Sequence, residues 1–147
     1  MQVTEGSNYA FHGLMQMTQM SPGQAVTIEE MALSLGASPS YMAKLFQRLA
    51  RAGLVTSHRG RGGGYYLARP GHQITLWEIV AALQENPATD TPPLPSCLTC
   101  PLASACPLKG ALRRAGQKVE QILRTVNVAG VAALVAEGGA FNRRRGP

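Results

Sequence analysis

Residues 38–68 decide the fold; they run SPSYMAKLFQRLARAGLVTSHRGRGGGYYLA. The first part has a serine in the N-cap position and a proline in the first helical position, and its apolar residues recur at 42, 45, 46 and 49. That spacing predicts one amphipathic helix that ends before Gly53. The second part predicts strands over 54–58 and 65–68, joined by a glycine-rich loop with arginines at its tip.

A second short helix is predicted just before this one. Thr27 and Glu30 have the spacing of a capping box, apolar residues follow at 28, 31, 32 and 35, and Gly36 is placed to end the helix in the left-handed conformation. Two short helices joined by the three-residue turn 36–38 form a helix-turn-helix, and the hairpin that follows them is a wing. We therefore predict a mainly α-helical fold class with a small β-hairpin wing.

The outward face of the second helix is the predicted DNA-binding surface. Side chains that can contact base edges or phosphates lie on this face and on the wing; they are Ser40, Tyr41, Lys44, Gln47, Arg48, Arg51, Arg59 and Arg61. Such a helix alone is more often a solvated surface helix, but the adjoining wing favours double-stranded DNA as the partner. A phosphate-binding G-x-G-x-x-G loop that began at Gly60 would need glycine where Tyr65 stands.

Composition agrees with an anionic partner. The 147 residues, 15.6 kDa, contain 14 Lys and Arg against 8 Asp and Glu, which gives a net charge of +6 and a pI near 9.7. Such a balance favours nucleic acid over a membrane surface. The sequence has no continuous apolar run of about 18 residues and no secretion-signal pattern at its start. We expect no membrane association and a cytoplasmic location.

Four regions are predicted along the chain. They are the winged helix-turn-helix domain (1–86), a cysteine-containing loop (87–107), a long dimerisation helix with a short C-terminal helix (108–137) and a disordered basic tail (138–147). The first region begins with a helix over 5–20. Its predicted buried stripe is Ala10, Phe11, Leu14, Met17 and Thr18. Thr75 and Glu78 form a second capping box, which begins a helix that runs to about Gln84.

The long helix carries a heptad pattern. Its apolar positions alternate in steps of four and three; they are Leu108, Leu112, Ala115, Val119, Ile122 and Val126. This stripe could pack inside its own domain, but a helix that follows a proline-rich loop is better placed to pair with a second copy. A homodimer would present two DNA-reading units to a palindromic operator.

Three cysteines lie within ten residues, Cys97, Cys100 and Cys106. Spacing alone leaves an iron–sulfur cluster, a zinc site and free thiols open, and the cluster is favoured because a local zinc site lacks a fourth ligand. A thiol oxidoreductase that uses the C-x-x-C pair is another alternative, although its usual βαβ frame is absent from the pattern. Pro107 is placed to begin the long helix, so Cys106 would lie at the positive helix end, which favours thiolate.

Several motifs together resemble the Rrf-two (BadM/Rrf-type) family over residues 1–137. They are T-x-x-x-x-Y-A from Thr4, L-x-R-A-G-L-V from Leu49, R-G-R-G-G-G-Y from Arg59, and the cysteine loop before a long helix. The resemblance implies a bacterial winged-helix transcription regulator that dimerises through the long helix and has no enzyme activity. It further implies that the three cysteines carry an iron–sulfur cluster, 4Fe-4S or 2Fe-2S, that senses nitric oxide, iron or redox state and sets DNA affinity; a thiol-based or zinc-stabilised regulator is the alternative.

The family resemblance also indicates which positions could supply the fourth cluster ligand. Lys109 stands where one group of the family has a histidine, and a lysine does not suit this role. In the nitric-oxide sensors an aspartate can come from the first helix of the partner, and the matching residue here is Asn8, a poor ligand. His12 lies one turn further on the same helix face. We therefore predict His12 of the partner subunit as a candidate fourth ligand.

Overall fold

The computed structural model describes residues 5–21, 24–60, 62–84 and 107–137. The elements in these ranges are α1 (Glu5–Thr18), α2 (Ile28–Leu35), α3 (Pro39–Arg51), β1 (Val55–His58), β2 (Gly64–Leu67), α4 (Leu76–Leu83), α5 (Pro107–Thr125) and α6 (Val128–Glu137), with a 3-10 turn (Gly71–Gln73) before α4. The predicted fold class is confirmed, because the described chain is mostly helical and contains a two-stranded antiparallel hairpin.

Local capping interactions begin and end the two helices of the helix-turn-helix as predicted. The Thr27 hydroxyl accepts from the Glu30 amide at 3.2 Å, and the Glu30 carboxylate accepts from the Thr27 amide at 3.0 Å. Gly36 ends α2 with φ of 67°, a conformation that costs glycine little. Ser38 caps α3 by accepting from the Tyr41 amide at 3.3 Å, and Pro39 occupies the first helical position.

The wing is a short two-stranded hairpin, and Val26 forms a β-bridge to its second strand. β1 and β2 pair antiparallel, with Val55 opposite Leu67 and His58 opposite Gly64. On the other edge of β2, Val26 and Tyr65 exchange two backbone hydrogen bonds of 3.0 and 2.8 Å. The segment before α2 therefore holds the wing against the helix-turn-helix.

An apolar core formed by the described residues joins the N-terminal helices to α6. Its largest fully buried side chains are Phe46, Leu14, Met31, Met42, Leu49, Leu54, Ile74, Ile79, Val26, Val55, Val80 and Val128. In α1, the predicted Ala10, Leu14 and Met17 are buried, but Phe11 and Thr18 are only half-buried. Ser7, Gly13 and Met15 are also buried. The reason is that α2, α3, α4 and α6 contact α1 on several sides, so its buried surface is wider than a single stripe.

The C-terminal helices are bonded directly to the start of α4. Thr75 and Glu78 form the predicted capping box of this helix. Beside it, the Leu76 amide donates to the Val126 carbonyl at 3.0 Å, and the Val128 amide donates to the Ile74 carbonyl at 2.9 Å. The junction between α5 and α6 is thus part of the folded unit. Among the described helices, none is long and apolar enough to cross a membrane.

Candidate nucleic-acid interface

Helix α3, which we call the recognition helix, separates its apolar and polar residues onto two faces. Met42, Leu45, Phe46 and Leu49 are buried. Five of the six residues predicted on its outward face are exposed; they are Ser40, Tyr41, Lys44, Gln47 and Arg51. No acidic residue occurs in α3. The exposed face therefore offers hydroxyl, amide and cationic donors without a competing carboxylate, as contact with DNA requires.

Arg48 differs from the predicted arrangement. Its side chain is half-buried, and its Nη1 donates to the carbonyl oxygen of Leu83 at 3.2 Å. Leu83 is the last residue of α4, whose final carbonyls have no partner inside the helix. Arg48 therefore turns toward α4 instead of outward, because a cation is stabilised at the negative end of a helix. Arg48 is thus not part of the exposed face of the recognition helix.

The N-terminal turn of the recognition helix is braced by α1. The rings of Tyr9 and Tyr41 lie edge to face, with centroids 6.1 Å apart, and the Tyr9 hydroxyl donates to the Glu5 carboxylate at 3.1 Å. The hydrogen bond to Glu5 raises the pKa of Tyr9, with a smaller contribution from the charge of the same carboxylate. Sequence reasoning missed this contact, because nothing in the local pattern of either helix predicts that the two rings meet.

The wing is stiffened near its tip by an aromatic residue. The Tyr66 hydroxyl donates to the Gly62 carbonyl at 3.3 Å, and the Tyr66 ring packs edge to face on His58 with centroids 5.1 Å apart. Arg59 is exposed at the end of β1, in the position predicted for a DNA contact. Arg61 lies outside the described residues. Sequence reasoning did not single out His58 and Tyr66, although both lie in the predicted strands.

An ion pair fastens the wing to α4. Arg69, just after β2, binds the Glu78 carboxylate at 2.6 Å and donates to the Gln73 carbonyl at 3.2 Å. Partial burial alone would raise the pKa of Glu78, but the hydrogen bond from the Thr75 amide, together with Arg69 and the Thr75 hydroxyl, lowers it. The capping carboxylate thus remains charged and holds the base of the wing.

The predicted apolar stripe of α5 is largely on the surface. Val119 is 39% exposed, Ile122 is 60% exposed and Ala115 is also exposed, whereas Leu112 and Val126 are half-buried. The side chain of Leu108 lies outside the described part. A different side of α5 packs on α4, where the Arg124 guanidinium lies 4.8 Å from the centre of the Trp77 ring. Within the described residues, the middle of the stripe, Ala115, Val119 and Ile122, therefore remains exposed when α5 packs on its own domain.

Comparison with known proteins decides the family. The family model for Rrf2, described as an iron-dependent transcriptional regulator, matches residues 3–134. The chain belongs to the Rrf2 family. Rrf2 proteins are transcription regulators and not enzymes, and they bind DNA as dimers. This Rrf2 protein is 35% identical over 125 residues to protein aau3 of Rhizobium meliloti (strain 1021), a match that covers 84% of this chain and 80% of the relative.

Solved structures of other Rrf2 regulators have the same fold. T. potens IscR superimposes with a TM-score of 0.74 at 23% identity, over 99% of this chain and 94% of that one. CymR, the global cysteine regulator of B. subtilis, superimposes with a TM-score of 0.72 at 22% identity, over 91% of this chain and 98% of that one. At these identities the likeness establishes the fold.

The three cysteines predicted to hold a metal group lie outside the described residues. Cys106 directly precedes Pro107, at which α5 begins. Three thiol donors this close in sequence fit an iron–sulfur cluster by their chemistry, and a fourth position would remain for another ligand. On α1, Asn8 is exposed and His12 is half-buried.

Proposed function

We propose that this Rrf2 regulator is a cytoplasmic homodimer that binds a palindromic operator, and that an iron–sulfur cluster held by Cys97, Cys100 and Cys106 sets its operator affinity. The observation that carries the proposal is the exposed, acid-free face of the recognition helix next to a wing with a basic residue. The signal is nitric oxide, iron or redox state acting on the cluster.

In the DNA complex, the recognition helix enters the major groove and the wing lies along the neighbouring backbone. Lys44 and Arg51 supply charge for phosphates, while Ser40 and Gln47 supply donors for base edges. Arg59 and Arg61 belong to the wing, and an arginine there suits the negative potential of a narrow minor groove. Tyr66 supports this contact by holding the wing tip through Gly62.

The surface position of the α5 stripe supports dimerisation through this helix. Large apolar side chains such as Ile122 are exposed in the single chain, and pairing with the same stripe of a second copy would remove them from water. A two-fold dimer places two recognition helices in equivalent orientations, so the matching operator is a palindrome. We propose that the full stripe, Leu108, Leu112, Ala115, Val119, Ile122 and Val126, is the seam of this dimer.

The cluster proposal rests on the donor set and on the family. Cysteine thiolates are the usual ligands of iron–sulfur clusters, and the matching family model is described as iron-dependent. The cluster, when bound, supplies redox and ligand-exchange chemistry at a protein surface. Cys106 directly precedes Pro107 in sequence, and the positive N-terminus of a helix stabilises a thiolate beside it. His12 of the partner subunit is the proposed fourth ligand.

The experiment compares wild type with Cys97→Ser, Cys100→Ser and Cys106→Ser after anaerobic purification. The operator is the duplex that the wild-type protein selects from a random library. We expect visible absorbance, with bound iron and sulfide, in the wild type alone. Operator affinity should depend on cluster state only in the wild type, while all four proteins remain folded dimers. A colourless wild type with bound zinc or free thiols would favour the thiol-based or zinc-stabilised regulator, and turnover of a disulfide substrate would favour the oxidoreductase.

A further inference from the structure

Arg48 is the basic side chain of the recognition helix that the proposed DNA contact does not use. Its half-buried guanidinium donates to the Leu83 carbonyl at the end of α4. A hydrogen bond from a charged donor is stronger and more directional than one between neutral groups. The bond joins two residues that are 35 positions apart in sequence and lie on different helices, so it constrains how α3 lies on α4.

Helix α4 connects several parts of the molecule. At its first turn, the Leu76 amide donates to the carbonyl of Val126, just after α5, and Glu78 pairs with Arg69 at the base of the wing. At its last turn, Leu83 is held by Arg48. One short helix is therefore bonded to the α5–α6 junction, to the base of the wing and to the recognition helix.

Leu83, which accepts the hydrogen bond from Arg48, lies just before the cysteine segment in sequence. Residues 85–106, which include the three cysteines, follow directly after Leu83 and Gln84. In sequence the segment therefore connects the last turn of α4 to the start of α5, and Arg48 of α3 donates to the carbonyl of Leu83 in that last turn. Coupling between two sites needs such a chain of physical contacts with a state-dependent element at one end.

We propose that Arg48 is a positioning residue: it orients the recognition helix on α4 and, through Leu83, passes the state of the cysteine segment to the DNA-contacting face. The claim that Arg48 transmits the state of the cysteine segment rests on the proposed function. The claim that Arg48 orients the recognition helix rests on its contact with Leu83 alone. The two claims are tested by separate measurements.

The experiment compares wild type, Arg48→Gln, Arg48→Lys and Arg51→Gln. Arg51 is a matched control, because it is an exposed arginine one turn further along the same helix. Three quantities are measured for each protein: the salt dependence of operator binding, the ratio of operator affinities with and without the cluster, and amide hydrogen exchange in residues 81–84 of the DNA-free protein. Thermal unfolding checks that each variant is folded.

For Arg48→Gln we expect an unchanged salt slope, faster exchange in 81–84 and an affinity ratio that moves toward one by roughly 2- to 30-fold. Arg48→Lys should restore most of the ratio, since an ammonium group can still donate to the Leu83 carbonyl. Arg51→Gln should lower the salt slope by about one unit and weaken both cluster states equally.

Two results would overturn the proposal. A salt slope reduced by about one unit in Arg48→Gln, with equal losses in both cluster states, would make Arg48 a direct phosphate contact. Unchanged exchange and unchanged binding would make it an ordinary surface residue. If the wild-type ratio is already one, the proposed cluster function fails, and the orienting role is then decided by the salt slope and the exchange alone.

Discussion

Gly13 of α1 lies directly against Phe46 of the recognition helix: a Cβ at Gly13 would come within 2.9 Å of the Phe46 Cζ. Phe46 is fully buried, and its ring packs edge to face on Tyr65 of the wing with centroids 5.2 Å apart. The absent side chain at position 13 thus sets how closely α1 approaches the helix that faces DNA. A group added there meets both Phe46 of the recognition helix and the Met31 Sδ of α2, the latter at 3.1 Å.

We therefore expect Gly13→Ala to destabilise the protein. Overpacking a core costs about 1–3 kcal/mol, and the better helix propensity of alanine offsets about 1 kcal/mol of that. Urea unfolding should show a net loss of up to about 2 kcal/mol, and operator affinity should fall as well. Gly110→Ala is the control, because among the described residues the nearest atom to its added Cβ is the Arg114 Nη1 at 3.7 Å. Equal stability of Gly13→Ala and wild type would show that the helices separate without cost.

Lys44→Ala should weaken operator binding at every sequence by a similar factor. Lys44 is exposed on the recognition helix, and a lysine that contacts one phosphate adds about one unit to the slope of log K against log salt. The measurement is a salt titration of binding. Lys118→Ala removes the same charge from the exposed part of α5 and serves as the control. If both variants changed the slope equally, the effect would come from net charge and not from a contact by α3.

Ile122→Asp should convert the dimer into a monomer. A charge placed in a dry apolar seam costs several kcal/mol, and Ile122 is among the most exposed apolar side chains of the stripe. Gln117→Asp is the control, since Gln117 is exposed on the same helix outside the stripe. Sedimentation velocity gives the assembly state of each. A folded dimer of Ile122→Asp would remove the stripe from the proposed interface.

Lowering the pH should reduce the free energy of unfolding, because it protonates Glu78. Its pKa is lowered in the folded state, so its contribution to stability is complete above the ordinary glutamate pKa of about 4.3 and declines as pH falls through the lowered folded value. Glu78→Gln keeps a capping side chain but loses the charge. The stability difference between wild type and Glu78→Gln should therefore be largest near neutral pH and shrink below about pH 4.3. Glu29→Gln is the control variant, because Glu29 is an exposed carboxylate of α2. A difference that stays constant with pH would contradict the prediction.

His12→Ala tests the proposed fourth ligand. We expect an unchanged unfolding temperature and an intact dimer, but an altered visible spectrum of the cluster-loaded protein and a smaller effect of cluster state on operator affinity. A non-cysteine ligand is the weakest attachment of such a cluster, so its loss should make the cluster more sensitive to oxidation. Asn8→Ala, one turn earlier on α1, is the matched variant. An altered spectrum in Asn8→Ala alone would transfer the role to that residue.

Local signals in the sequence determined the elements of this protein. Thr27 with Glu30, and Thr75 with Glu78, satisfy backbone groups within a few residues. Ser38 accepts from the Tyr41 amide, and Pro39 has no amide hydrogen to satisfy, so the helix starts follow from neighbouring side chains. The spacing of apolar residues likewise predicted the buried face of α3, because a helix repeats every 3.6 residues whatever surrounds it.

Only the tertiary structure decided which side chains meet. Arg48 has the same helical spacing as the exposed donors of α3, and it turns inward because the end of α4 supplies an acceptor at Leu83. The contact of Gly13 with Phe46 depends on how α1 crosses α3, which no local pattern encodes. Caps and periodicity act over one or two helical turns, whereas these contacts join residues distant in sequence and arise only when whole helices pack.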